Sequence, residues 1–249
     1  MRVAKFAVAV LAAVLLAGCQ GEVDLEVVAG VDACHECGMV IDQVNQACGY
    51  LDNRELVTFD SPGCLLRSYD QKRAEGFPVP DQVFFADYGD GSWHPAQSTA
   101  FLLTEYIPSV MNAGVLSFGS AEAAEARRLH PDERVTDWNG YRTTRGKPDR
   151  VDEVVFSSTG MVPEVLEVDK GDLVLWKVSG EQLKDDLQIT IEGYPEIGTI
   201  TVPASGQEKD LRFLALRPGM GFPVIEVPSR EALGRVKVRG AHTLDEEEM

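Results

Sequence analysis

Positive charge is scarce in this 249-residue chain: 23 lysines and arginines stand against 40 aspartates and glutamates, a formal net charge of −17. A phosphate-rich partner would be repelled rather than neutralised, which excludes nucleic-acid binding. Long apolar runs are missing too. The run at 6–16 falls well short of the ~20 residues that cross a bilayer as a helix. No cysteine occurs beyond Cys64, so thiol chemistry is confined to the first part of the chain. The chain has no recognisable nucleophile, base and oxyanion arrangement, no phosphate loop and no dinucleotide fingerprint, and it is read as a non-enzyme.

What is present begins at the N-terminus. Arg2 and Lys5 precede the apolar run, and Leu16-Ala17-Gly18-Cys19 follows it, the layout of a signal peptide ending in a bacterial lipobox. Cleavage before Cys19 and diacylglycerol on its sulfur are expected, giving a periplasm-facing protein anchored by lipid to the cell membrane or outer membrane. An ordinary signal peptide with a chance cysteine is the alternative.

The remaining residues suffice for two modest domains. Residues 1–18 read as signal peptide and 19–30 as a polar tether. Residues 31–140 read as an α+β domain of two ββα-type units. The first unit has strands at 40–51 and 55–59 around Asp52-Asn53, then a helix opened by Ser61 as N-cap and Pro62 at its first position. The second has strands at 83–86, 100–103 and 115–118, then an alanine-rich helix from Ala121 to Leu129. Both units pass from strand to helix through Phe-x-Ser. Gly and Pro among charges mark 141–152 as a linker. Seven short strands separated by turn residues make 153–241 an all-β sandwich, and 242–249 is an acidic tail.

The chemistry concentrates in Cys34-His35-Glu36-Cys37-Gly38-Met39, placed on a loop ahead of the first strand. Thiolates of Cys34 and Cys37 with the thioether of Met39 are soft donors that favour Cu(I) over oxygen-seeking cations. His35 could add imidazole, and Gly38 lets the backbone bend between the sulfurs. A thioredoxin-like pair, a zinc site and a disulfide use the same residues. Cys48 and Cys64 read as buried small residues or disulfide halves rather than ligands. Met111, ahead of a strand in the second unit, is either core filler or a further donor. Met161 and Met220 in the second domain are core residues by default and at most a weak Cu(I) relay.

The lipobox, the Cys-x-x-Cys-Gly-Met loop, the Phe59-Asp60-Ser61-Pro62-Gly63-Cys64 junction and the Trp93 and Met111 segments resemble the NosL family, lipoproteins that assist maturation of nitrous oxide reductase. The resemblance covers about residues 15–135. It implies a Cu(I) chaperone whose partners are nitrous oxide reductase or its assembly machinery, with Cys34, Cys37, Met39 and Met111 as metal residues. Asn112 stands where the family commonly has glycine. The second domain is similar to a cupredoxin, the copper-binding domain at the end of nitrous oxide reductase in particular. Its usual ligand positions instead hold Gln188-Ile189 and Gly221-Phe222-Pro223, which excludes a copper electron-transfer site and leaves a docking role. A thiol-disulfide oxidoreductase using Cys34 and Cys37, or a disulfide-bonded interaction scaffold, is the alternative function.

Overall fold

The computed structural model describes residues 25–240; the signal peptide, Cys19 and the acidic tail fall outside the described residues. Among the described residues no helix is long and apolar enough to cross a membrane. Strand dominates, and three α-helices accompany it among those residues.

β1 (Cys48–Asp52) and β2 (Glu55–Phe59) form an antiparallel hairpin. Its two-residue turn places Asn53 and Arg54 at φ 49° and 72°, the left-handed pair that matches the twist of a tight hairpin. The first strand is shorter than expected, because a 3₁₀ turn at Val44–Gln46 occupies part of the predicted 40–51 segment. α1 (Pro62–Ala74) follows, with the Ser61 hydroxyl accepting from the Cys64 amide at 3.3 Å and Pro62 at the first position. β3 (Val83–Ala86) and β4 (Trp93–Pro95) complete a sheet of order β2-β1-β3-β4, so the 83–86 strand expected in the second unit pairs with β1 of the first instead.

β5 (Ala100–Leu103) and β6 (Val115–Phe118) make a second hairpin. α2 (Ala121–Arg127) is capped by Ser120, and β7 (Arg134–Thr136) returns to give the order β6-β5-β7. The first part of the predicted 141–152 linker is the end of a helix, and its last residues open a strand. α3 (Trp138–Arg145) starts on Asp137, whose carboxylate accepts from the Gly140 amide at 2.7 Å, and β8 begins at Arg150. Its polar sequence conceals two anchors: Tyr141 stacks on Phe101 at 5.0 Å and Trp138 lies 5.4 Å from Phe85. Those aromatic contacts join the two sheets in one core.

The second half is a β-sandwich of nine strands: β8 (Arg150–Ser157), β9 (Gly160–Val162), β10 (Val165–Asp169), β11 (Leu173–Gly180), β12 (Leu187–Ile191), β13 (Ile200–Val202), β14 (Lys209–Leu214), β15 (Gly219–Glu226) and β16 (Ala232–Arg239). One sheet has the order β10-β16-β15-β12-β13 and the other β14-β11-β8-β9. Inward residues such as Phe156, Val168, Trp176, Ile189, Phe213 and Val236 alternate with exposed ones and build a separate core. Two strands exceed the expected seven. β9 is only three residues long, and β15 has the composition of a turn, Gly-Met-Gly-Phe-Pro. Register shifts break its ladder with β16, and β12 pairs only with its end, Val224 to Glu226, so Pro223 forfeits no bond to that strand.

The two halves meet through α1. Arg73 near its C-terminus pairs with Asp149 at 3.0 Å and Asp172 at 3.4 Å, and all three side chains are mostly buried. The Asp70 carboxylate accepts from the Lys147 amide at 2.6 Å, and Arg212 of β14 donates to the carbonyls of Thr144 and Gly146 at the end of α3. An exposed pair contributes about 0.5 kcal/mol and breaking a buried one costs about 3–5 kcal/mol. Arg73→Ala is therefore expected to destabilise by about 2 kcal/mol, against under about 0.5 for Arg128→Ala in its exposed pair with Glu125, as read by urea melts.

Candidate metal centre

The chain from Gly30 to Ile41 folds into a narrow ribbon that carries the Cys-x-x-Cys motif at its tip. Ala33 bridges Val40, the Cys34 amide donates to the Met39 carbonyl at 2.8 Å, and the Gly38 amide donates back to the Cys34 carbonyl at 2.8 Å. Gly38 closes that turn with φ 72°, a conformation a side chain would strain. The His35 amide donates to the Thr58 carbonyl, which docks the tip onto β2 one residue before that strand ends at Phe59, with Asp60 following.

This docking brings two distant segments together. The sulfurs of Cys34, Cys37 and Cys64 and a carboxylate oxygen of Asp60 all lie within 4.8 Å of one another, the one such group among the described residues. Cys64 occupies the third position of α1, where the helix dipole favours negative charge. The Cys37 thiol donates to Asp60 Oδ2 at 3.4 Å, and the Ser61 hydroxyl donates to Oδ1 at 3.1 Å. Arg67, one turn along α1, donates through Nη2 to Cys64 Sγ at 2.9 Å and faces Glu36 at 3.5 Å. Cys34, Asp60 and Cys64 are buried, whereas Cys37 is exposed.

Burial pushes the Cys34 and Cys64 thiols above their ordinary range; backbone amides of Asp60 and Cys37 pull Cys34 partly back, and the Asp60 carboxylate raises Cys64 further. All four described cysteines are free thiols. Three thiols and one carboxylate converging from two segments form a donor set that can hold a metal ion.

Of the predicted residues, the structure brings Cys34 and Cys37 into this group. His35 stays out: its ring stands edge-on to Phe59 at 5.9 Å instead. Met39 is half exposed on the ribbon. Met111 is not core filler, since it too is half exposed, in a left-handed turn at φ 55°. It shares an open groove of about 780 Å³ with Glu36, Gly63 and Arg67, which flank the cluster cysteines. The fit is close, because a Cβ on Gly63 would stand 3.0 Å from that of Ala113. Asn112 has φ 52°, so the position is left-handed and asparagine is the side chain best able to replace glycine there.

Asp60 is passed over in the sequence, and Cys64 reads there as a buried small residue or disulfide half; the structure keeps Cys64 buried and unpaired with another cysteine but places it in the group. Their signal was the junction itself: a cysteine three residues after a serine N-cap sits at the positive end of a helix. Cys48 is fully buried on β1 and outside the group, with its thiol pushed well up by burial. In the sandwich, Met161 is buried beside Gly234 while Met220 is exposed rather than packed. Phe222 packs on Tyr194 at 5.1 Å and Ile189 is core, so neither expected ligand position offers a thiolate or an imidazole.

No family model and no curated protein matches this chain. Solved structures overlap parts of it. The metal binding domain of the Cu(I)-exporting P-type ATPase CopA of Streptococcus pneumoniae D39 is 17% identical over 36% of this chain and 85% of its own, with a TM-score of 0.30. Auracyanin B is 11% identical over 38% and 91%, at 0.31, and a purple cupredoxin from Nitrosopumilus maritimus is 15% identical over 35% and 99%, at 0.25. Overlap at these scores assigns no ligand and no activity to this chain.

Proposed function

We propose that this chain is a lipid-anchored, periplasm-facing carrier of Cu(I) that holds the ion on Cys34, Cys37 and Cys64 and passes it to nitrous oxide reductase or to its assembly machinery. The observation that carries the reading is the convergence of three thiols and Asp60 within 4.8 Å. Soft thiolates suit monovalent copper, and Met39 on the ribbon and Met111 in the groove with Glu36, Gly63 and Arg67 supply exposed thioethers. The lipobox and the NosL-like motifs supply the compartment and the recipient. Two hairpins, each followed by a serine-capped helix and a strand that returns to the hairpin's first strand, support the reading of two ββα units. The sandwich, without histidine or cysteine at 153–241, is read as a cupredoxin-like docking module.

Two features favour carriage over thiol-disulfide exchange. The motif lies on a ribbon tip rather than at a helix start, and the Cys34 thiol is pushed up, where an exchange nucleophile needs a depressed one. Asp60 favours a second cargo, because three sulfurs and one oxygen also suit tetrahedral Zn²⁺.

Anaerobic titration of the reduced protein against a chromogenic Cu(I) chelator is expected to show one Cu(I) per chain, in preference to Zn²⁺. Because Cys34 and Cys64 are protonated at neutral pH, binding releases protons, so apparent affinity rises with pH from 6 to 8 by up to about tenfold per unit for each proton displaced. A pH-independent affinity would contradict binding through those thiols.

A further inference from the structure

The cluster is asymmetric, and the asymmetry bears on how an ion leaves it. Cys34 and Cys64 are 2% and 0% exposed, while Cys37 faces solvent. The two buried sulfurs are also the more firmly held. Cys34 is clamped through its amide to Met39 and through its carbonyl to Gly38, and Cys64 lies in the first turn of α1 under the Arg67 guanidinium. Cys37 sits at the ribbon tip beside the left-handed Gly38, its sulfur bonded only to neighbours within the cluster, Asp60 and the Cys34 thiol. Beyond it, Met39 and Val40 on one arm and Val31 on the other expose apolar surface. On the other flank, Arg67 and Glu36 pair across Cys64.

Building on the Cu(I)-carrier reading, we infer that Cys37 is the ligand exchanged during transfer, and that the acceptor approaches along the Cys37–Gly38–Met39 edge with a soft donor of its own, a thiolate, thioether or imidazole. Cu(I) prefers few ligands and exchanges them through a transient extra bond. The acceptor's donor binds the ion while Cys34 and Cys64 still hold it. The bond to Cys37 sulfur then breaks, and the released thiolate takes a proton from water. Copper stays monovalent, so no oxidant or reductant is involved. The exposed aliphatic rim around the donor edge excludes water from the shared ion once the partner is seated.

The test uses the full chain, reduced and loaded with one equivalent of Cu(I), treated anaerobically with N-ethylmaleimide. Adducts are mapped by mass spectrometry and bound copper is counted. Cys37 is expected to be alkylated first, with copper still present on the singly labelled protein, while Cys34 and Cys64 are protected. In a second arm, Cys37→Ser is expected to bind one Cu(I) through the buried pair yet surrender it to bicinchoninate about tenfold more slowly than the parent. Equal protection of all three cysteines, or transfer from Cys37→Ser at the parental rate, overturns the inference while leaving the cluster as the copper site. Failure of the parent chain to take up Cu(I) overturns the site and the inference together.

Discussion

Serine in place of Cys64 is expected to lower Cu(I) affinity by at least about 100-fold, beyond the 10–100-fold that loss of an outer-shell partner costs. The substitution removes a thiolate that is fully buried, held at the positive end of α1 and within 4.8 Å of Cys34 and Cys37. It should change little else. Serine is nearly isosteric with cysteine, its oxygen can accept from the Arg67 guanidinium that now donates to the sulfur, and the Ser61 cap that begins the helix uses the amide of residue 64, not its side chain. Thermal stability of the apo protein is therefore the control, and it should stay close to that of the parent. Cys48→Ser supplies the contrast: Cys48 is equally buried but outside the group, so copper affinity should hold while stability falls as a hydroxyl enters an apolar core. Chelator competition with both variants separates the two roles. Equal affinities would remove Cys64 from the site.

Trp176→Ala should produce the largest loss of stability. The indole is fully buried between the sheets of the sandwich and meets Phe213 edge-on at 5.3 Å. Truncation removes its apolar area and leaves a cavity, a cost of about 3–5 kcal/mol. Trp176 Nε1 has no hydrogen-bond partner, so the indole N–H adds no compensating bond. Trp176→Phe is accordingly expected to cost under about 2 kcal/mol, since it gives up area but also an unpaired donor. Denaturant melts followed by circular dichroism measure both. Copper stoichiometry measured below the transition should be unchanged in either variant, because the donors lie in the other core. A tryptophan-to-phenylalanine loss as large as that of alanine would mean the N–H is bonded after all.

Much of the architecture could be read from local chemistry. Ser61-Pro62 and Ser120 mark their helices because a side-chain acceptor and a fixed proline φ are local devices, independent of the rest of the fold. The hairpin turn at Asn53 is legible for the same reason. What could not be read depended on partners distant in sequence. α3 looked like a linker because only Trp138 and Tyr141 are apolar, and their worth appears when Phe85 and Phe101 arrive from two sheets. β15 looked like a loop because glycine and proline suit a strand only where neighbouring pairing is incomplete.

The site divides in the same way. Cys34, Cys37 and Gly38 declared themselves by spacing. Cys64 and Asp60 did not, since their approach to the ribbon depends on its docking against Thr58 at the end of β2. His35 was the opposite case: its place between two cysteines suggested a ligand, and alternation along the tip turns its ring toward Phe59 instead. Met111 reads from the sequence as either core filler or a further donor, and the left-handed turn that lifts it to the surface removes the first reading.

The most direct measurement is copper X-ray absorption on the reduced, Cu(I)-loaded chain. Three sulfur neighbours around the metal are predicted, falling to two when Cys37 is replaced by serine. A nearest shell made up of nitrogen and oxygen, or one that keeps its sulfur count after Cys34, Cys37 and Cys64 are all changed to serine, would contradict a thiolate site at the meeting of the ribbon and α1.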